Sequence, residues 1–365
     1  MGARIALFTR DLAGGGIGRV IVNLATGFAE RGHDVDIVLA RQRGPYLAQL
    51  APGVRVIDLG VDRTLRCVPG LVRYLRRERP RALLACADGA NVVALWAKRL
   101  AGSPVRLLIS THTSLSRNAR EASQARGRLI PYFVRRFYPW ADDVIAVSQG
   151  VADDLAATAQ LDRERIRVIY NPVDIRGIIE AATAPLDHPW FGPGEPPVIV
   201  SAGRLTRQKD YPTLIRAFGR VRQRRPARLL ILGEGEDRPA LEALARELGV
   251  DADLSLPGFV ANPYPFLAAA RLFVLSSAWE GFGNVLIEAM ALGTPVIATD
   301  CPSGPAEILG HGRYGTLVPV GDHVALAQAM ASGLRAGGPV HGGRERAAHF
   351  ATDRIAAEYL QAMAG

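Results

Sequence analysis

Short apolar runs recur along the chain, each followed by a polar or glycine-bearing turn and then by apolar positions at helical spacing. The first is Arg4-Ile5-Ala6-Leu7-Phe8-Thr9, after which Val20, Leu24, Ala25 and Phe28 mark one face of a helix that leads to Gly32. Residues 35–39 and 54–57 read as strands, and Leu65, Val68, Leu71, Val72 and Leu75 as one side of a helix. Strand, helix and strand follow at 82–86, 91–100 and 105–110, with further strands at 144–148 and 166–170. A proline-rich stretch (Pro185, Pro189, Pro193, Pro196, Pro197) precedes strands at 198–201, 229–232, 256–260 and 272–275. Phe350, Ile355, Tyr359 and Leu360 space as a last helix. Strands alternating with helices predict an α/β chain with doubly wound parallel sheets, which bind ligands at the carboxyl ends of their strands. At 365 residues the chain is long enough for two such domains, each with its own core.

The segment from Leu272 to Met290 carries the strongest chemical signal. Leu272-Phe273-Val274-Leu275 has the composition of a buried strand, Gly281 and Gly283 break it, and Asn284 is placed to cap a helix ended by Gly293 and Pro295. The unpaired amides of that helix's first turn, at its positive dipole end, suit a phosphate, and a diphosphate is the natural guest. Glu288 follows Asn284 by four residues and shares its face. A carboxylate repels phosphate, so Glu288 is suited to a diol such as ribose, and Glu280 on the turn to hydroxyls beyond the phosphate. The alternative is a capped helix with a solvated acid at each end. Two acids bracketing a Gly-Phe-Gly turn favour the ligand.

Other strand ends carry weaker signals. The loop Asp11 to Arg19 holds Gly14, Gly15 and Gly16, but a dinucleotide fingerprint would need glycine where Arg19 or Ile21 stands. His112 follows the strand at 105–110, although a lone histidine is more often structural than functional. Arg204 and Lys209 follow the strand at 198–201, where fixed cations could hold a diphosphate and stabilise its leaving charge; solvation is the plain alternative. Gly304-Pro305 suits a helix start.

Hydrophobic residues make up 48% of the chain and charged ones 22%, as in an ordered globular protein. No run approaches the ~18 apolar residues that span a bilayer, so a cytoplasmic protein is expected. Cys67, Cys86 and Cys301 are odd in number and lack metal-site spacing. The net charge of +9 is uneven: residues 1–172 hold 26 basic against 15 acidic side chains, residues 173–365 hold 18 against 20. Such an excess suggests an anionic partner or a coding bias toward arginine. Between Arg117 and Tyr138, arginines (Arg117, Arg120, Arg126, Arg128, Arg135, Arg136) interleave with aromatic and aliphatic residues. This suits a peripheral segment on an anionic membrane or, equally, a helix with one buried and one solvated side; Arg73, Arg76, Arg77 and Arg79 form a second cluster. No stacking motif accompanies the charge, so nucleic acid is not expected as a partner.

Glu280 through Glu288-Ala289-Met290-Ala291 to Gly293-Thr294-Pro295-Val296 resembles the glutamate-seven-residues-glutamate motif of glycosyltransferase family 4, retaining enzymes that use nucleotide-sugar donors. Gly203-Arg204-Leu205 with Lys209 is similar to that family's diphosphate-binding segment, with Asp210 where glycine is usual, and Asn171-Pro172-Val173-Asp174 to its domain-junction turn. The resemblance implies the GT-B fold: two Rossmann-like, doubly wound parallel-sheet domains facing a cleft. It places domains at 1–172 (acceptor) and 173–345 (nucleotide sugar), with a helix at 346–365 crossing back to the first. By the same resemblance Glu280 holds the donor sugar, Glu288 the ribose, and Arg204 and Lys209 the diphosphate, with Phe282, Gly283, Asn284 and Val285 at the donor. Gly15 and Gly16 touch the diphosphate and acceptor, His112 faces the donor sugar, and Glu234 and Val260 line the base. It implies a hexose or N-acetylhexosamine from a nucleoside diphosphate, UDP foremost, moved to a glycan or lipid-linked acceptor. No metal or other cofactor is expected, since no Asp-x-Asp pair stands in the donor region. A nucleotide-sugar epimerase of the same fold and, less consistent with the motifs, a basic nucleic-acid-binding protein are the alternatives.

Overall fold

Seven parallel strands build the first sheet: β1 (Arg4–Thr9), β2 (Asp34–Leu39), β3 (Arg55–Asp58), β4 (Ala82–Cys86), β5 (Arg106–Thr111), β6 (Asp143–Ala146) and β7 (Ile166–Val168). Six build the second: β8 (Val198–Ala202), β9 (Arg228–Leu232), β10 (Leu254–Gly258), β11 (Leu272–Leu275), β12 (Val296–Thr299) and β13 (Thr316–Val318). The structure is a computed structural model describing residues 3–13, 15–121, 129–336, 338 and 341–365; Gly14, Arg126 and Arg128 lie outside the described residues.

Every residue of β4 and β11 is buried, because helices must cover both faces of a parallel sheet. Leu7 pairs in register with Ile37 on one side and Leu84 on the other. Strand order runs β3-β2-β1-β4-β5-β6-β7 in the first sheet and β10-β9-β8-β11-β12-β13 in the second. Each sheet therefore reverses direction of winding once, between β1 and β4 and between β8 and β11, and the crevice at such a reversal is where this architecture accepts ligands.

The chain folds as two units, one comprising residues up to Val173 together with Phe350–Gly365, the other Asp174–His349. Val173 N donates to Phe350 O at 2.8 Å and Thr352 N to Val173 O at 3.1 Å, which fixes the return. The C-terminal helix Thr352–Ala364 buries Ile355, Tyr359 and Met363 against the helix Gly15–Ala29 and the first core. Where one last helix is expected from 346 onward there are two, because Gly343–Ala348 remains with the second unit. There Arg344 donates to Leu292 O at 3.1 Å and Arg346 to Glu307 O at 2.6 Å. The return thus begins at Phe350, four residues later than the sequence places it.

Three further details depart from the hydropathy pattern. β12 and β13 are short strands that it does not mark. β10 ends at Gly258, so Val260 stands on the loop beyond it. Gly283, with φ 103°, occupies the cap of helix Asn284–Ala291, and Asn284 is its first helical residue. A left-handed cap costs a glycine little, whereas asparagine there would leave its favoured backbone region.

Candidate functional site

In the second unit the loops after β8 and β11 meet. Lys209, on the turn Arg207–Lys209, places its Nζ 2.5 Å from Glu280 Oε1, and Ser277 Oγ donates to the same oxygen at 2.7 Å. Both bonds converge on Oε1. Glu280 is only 7% exposed, so the pair is largely withdrawn from water. The backbone is pinned to hold it: Ser276 Oγ donates to Lys209 O at 2.7 Å, Ala278 N to Gln208 O at 2.8 Å, and Gln208 Nε2 to Trp279 O at 3.1 Å. Lys209 reaches Glu280 over Gly203, where a Cβ would fall 2.8 Å from Lys209 Cε. A side chain at Gly203 would make Lys209 shift.

Helix Asn284–Ala291 then leads away from the turn with its first-turn amides at the strand end. The turn packs against Gly304, where a Cβ would lie 1.9 Å from Phe282 O. Phe282 is 2% exposed, so its ring belongs to the core. Asn284, Val285 and Glu288 are half-buried on the helix. Arg204 is exposed just past β8 on the Lys209 loop. Glu234, past β9, is taken up by Arg238 through bonds of 2.7 and 3.0 Å, which hold its carboxyl below the usual range. Val260 is half-buried beyond β10.

The first unit carries the remaining positions. Gly15 and Gly16 open the helix after β1, and a Cβ at either meets nothing within 4 Å. That space lies open for a ligand. His112, the residue after β5, is 8% exposed; burial pushes its imidazole down to about 4, a shift Asn171 opposes, so the ring is neutral at pH 7. Its Nε2 lies 3.0 Å from Ser110 Oγ, and Nδ1 is buried without a hydrogen-bond partner.

The structure thus joins Lys209 and Glu280 directly and sets Gly283 through Glu288 on the adjoining turn and helix, while Glu234 is already paired. Sequence reasoning misses Ser276 and Ser277, whose hydroxyls fix the ion pair; their place directly after an apolar strand is the available signal. It also passes over Asp88, whose carboxylate accepts from Tyr138.

Residues 14–176 match the family model described as Glycosyltransferase Family 4, and residues 196–335 the model described as Glycosyl transferases group 1. The chain is 32% identical over 240 residues to the Campylobacter jejuni N-acetylgalactosamine-N,N'-diacetylbacillosaminyl-diphospho-undecaprenol 4-alpha-N-acetylgalactosaminyltransferase, covering 66% of this chain and 63% of that relative. It is 29% identical over 367 residues to the lipopolysaccharide core biosynthesis glycosyltransferase LpsE of Rhizobium meliloti, covering 96% of each. Among solved structures, HepE of Anabaena in complex with UDP and glucose superposes with a TM-score of 0.79 at 22% identity, over 100% of both chains. The lipopolysaccharide outer core galactosyltransferase WaaB superposes with a TM-score of 0.73 at 21% identity, over 99% of both.

Proposed function

The chain belongs to the glycosyltransferases of family 4 and group 1 type, with the two Rossmann-like domains of the GT-B fold, and from that premise we propose a retaining transfer of a hexose or N-acetylhexosamine from a UDP-sugar to a glycan or lipid-linked acceptor. The observation that carries this reading is the Lys209–Glu280 pair at the reversal between β8 and β11. A UDP-sugar presents a diphosphate and a ring of hydroxyls side by side, and this site presents a cation and a carboxylate side by side.

In this reading Lys209 and Arg204, with the first-turn amides of helix Asn284–Ala291, neutralise the diphosphate as it leaves, the charge development that a preorganised site stabilises best. These groups supply the positive charge that a divalent ion would otherwise bring, so the reaction is proposed to proceed without metal. Glu280 Oε2 accepts from a sugar hydroxyl, and Glu288 accepts from the ribose. The bond from the anomeric carbon to the phosphate oxygen breaks, the acceptor oxygen bonds to the same face of that carbon, and the acceptor's proton passes to the departing phosphate. UDP is favoured because HepE, of the same fold, is solved with UDP and glucose; a lipid-linked or lipopolysaccharide acceptor is favoured by the names of the relatives.

Among the described residues no helix is long and apolar enough to cross a membrane. Peripheral attachment is proposed instead through helix Ile130–Phe137, which exposes Leu129, Tyr132 and Phe133 beside the basic Arg135 and Arg136. Sedimentation with vesicles containing phosphatidylglycerol should retain the protein at low salt and release it at high salt; indifference to such vesicles removes this part. A thermal-shift screen of UDP-, GDP- and ADP-sugars tests the main reading, since bound ligand raises the melting point by mass action. A UDP-sugar should stabilise the protein most. Inversion at C2 of a UDP-sugar without added acceptor would instead mark an epimerase.

A further inference from the structure

The reversal between β1 and β4 in the first sheet ends in an unusual turn. Ala87, directly after β4, has φ 88° and ψ 143°. Arg79 and Gln160 also have positive φ, but both close helices in the ordinary left-handed well; the conformation of Ala87 is one that glycine alone adopts readily. It persists because it is held from both sides, by Ala87 N donating to Ser110 O at 3.3 Å and Asn91 N to Ala87 O at 2.9 Å. The strained turn presents Asp88.

Asp88 differs from Asp36 and Asp143 of this unit. Asp36 is gripped by Arg55 at 2.7 Å and Asp143 by Arg106 at 2.5 Å. Beside Asp88 no cation stands among the described residues: it accepts from Tyr138 Oη at 3.1 Å and, at the limit of bonding, from Asn118 Nδ2 at 3.5 Å. A carboxylate has about four acceptor positions, so acceptor capacity is left over. Burial raises its pKa, a sign that water solvates it poorly. A hydrogen-bond chain ties it to His112: Asn91 Nδ2 donates to Tyr138 Oη at 2.9 Å and to Ser110 O at 3.0 Å, and Ser110 Oγ meets His112 Nε2 at 3.0 Å.

We propose that Asp88 is a substrate-binding carboxylate of the first unit that accepts a hydrogen bond from a carbohydrate hydroxyl at the β1/β4 reversal. A phosphate is unsuited to this place, because no cation stands beside the carboxylate among the described residues and like charges repel, whereas a neutral hydroxyl supplies one more donor. The inference rests on the glycosyltransferase reading. If Asp88 served only to hold Tyr138, an amide oxygen would do the same.

The test compares wild type, Asp88→Asn and Asp88→Ser. Calorimetry gives affinities for UDP and for the UDP-sugar that the thermal-shift screen selects; rates are measured for hydrolysis of that donor and for transfer to the octyl glycosides of glucose, galactose and N-acetylglucosamine. Affinity for UDP itself should be the same in all three, and its absence from wild type would sink the UDP-donor reading without touching Asp88. Loss of about 10- to 100-fold in kcat/KM for the glycoside, with UDP-sugar binding intact, assigns the hydroxyl to the acceptor. An equal loss confined to UDP-sugar affinity or hydrolysis assigns it to the donor. Either variant folded with all these values within threefold of wild type overturns the proposal, as does failure of both variants to fold, which would make the carboxylate a support for Tyr138.

Discussion

The ends of the two sheets handle charge in opposite ways. At the β8/β11 reversal a lysine and a glutamate face each other in a nearly dry pair, while at the β1/β4/β5 ends His112 is neutral and Asp88 has no cation beside it among the described residues. The surface is distributed the other way round, since residues 1–172 carry the basic excess and residues 173–365 slightly more acid than base. Bulk charge therefore does not locate the ionic chemistry of this protein. Several arginines of the first half are engaged elsewhere, Arg55 on Asp36 and Glu78, Arg106 on Asp143, Arg163 on Asp153. On the roles proposed above, one reversal balances ligand charge and the other binds a hydroxyl.

That contrast is broken most severely at the ion pair. Glu280→Ala leaves Lys209 an unpaired cation and Lys209→Ala leaves Glu280 an unpaired acid, so each should lower kcat/KM by about 100- to 1,000-fold. Each should also cost stability, up to about 3 kcal/mol, below the full figure for a buried pair because Lys209 retains some contact with water. Combining Glu280→Gln with Lys209→Met removes both charges and should recover melting temperature without recovering transfer. Initial rates and thermal melts of the four proteins check this; rates within tenfold of wild type would show that the pair is scaffolding.

How far the chain reveals such a site in advance differs between its two halves. Strands such as β1 and β11 are legible because a buried parallel strand is an uninterrupted apolar run, and Glu280 and Lys209 stand out as charges just past such runs. β13 is not legible: Thr316-Leu317-Val318 has too few residues to form a pattern. Gly283 as the cap is hidden because asparagine ranks above glycine as a capping residue by type, and only φ decides between neighbours. Asp88 was hidden for a different reason. Its distinction is that no cation stands beside it among the described residues, and absence of a partner 30 or more positions away in sequence leaves no mark on the residues around it. Tyr138, its hydroxyl donor, is separated from it by 50 positions.

A smaller effect sharpens the neutral side of the comparison. His112 has a pKa near 4 when folded against 6.5 for an ordinary imidazole, so the unfolded chain takes up the proton first. The stability it contributes is intact above about pH 6.5 and is lost as pH falls toward 4. His112→Gln keeps hydrogen-bonding capacity and has no proton to bind. Between pH 7 and pH 4.5 the wild type should lose about 1–3 kcal/mol more than this variant, measured by denaturant titration at each pH. Parallel pH profiles would mean that the imidazole is solvated enough to charge in place, and the first reversal would no longer count as neutral.

The smallest effect is expected at the rim of the ionic site. Glu234 is half exposed and bound to Arg238, and Arg238 keeps Glu242 at 3.3 Å and Leu256 O at 3.0 Å when Glu234 is removed. An exposed pair of this kind adds little, because water screens it and two long side chains must be ordered to form it. Glu234→Ala should leave the melting temperature unchanged and UDP affinity within about threefold of wild type, by calorimetry. A tenfold loss would mean that Glu234 turns from Arg238 to the nucleotide on binding, so that the charged reversal extends from β8 and β11 to the end of β9.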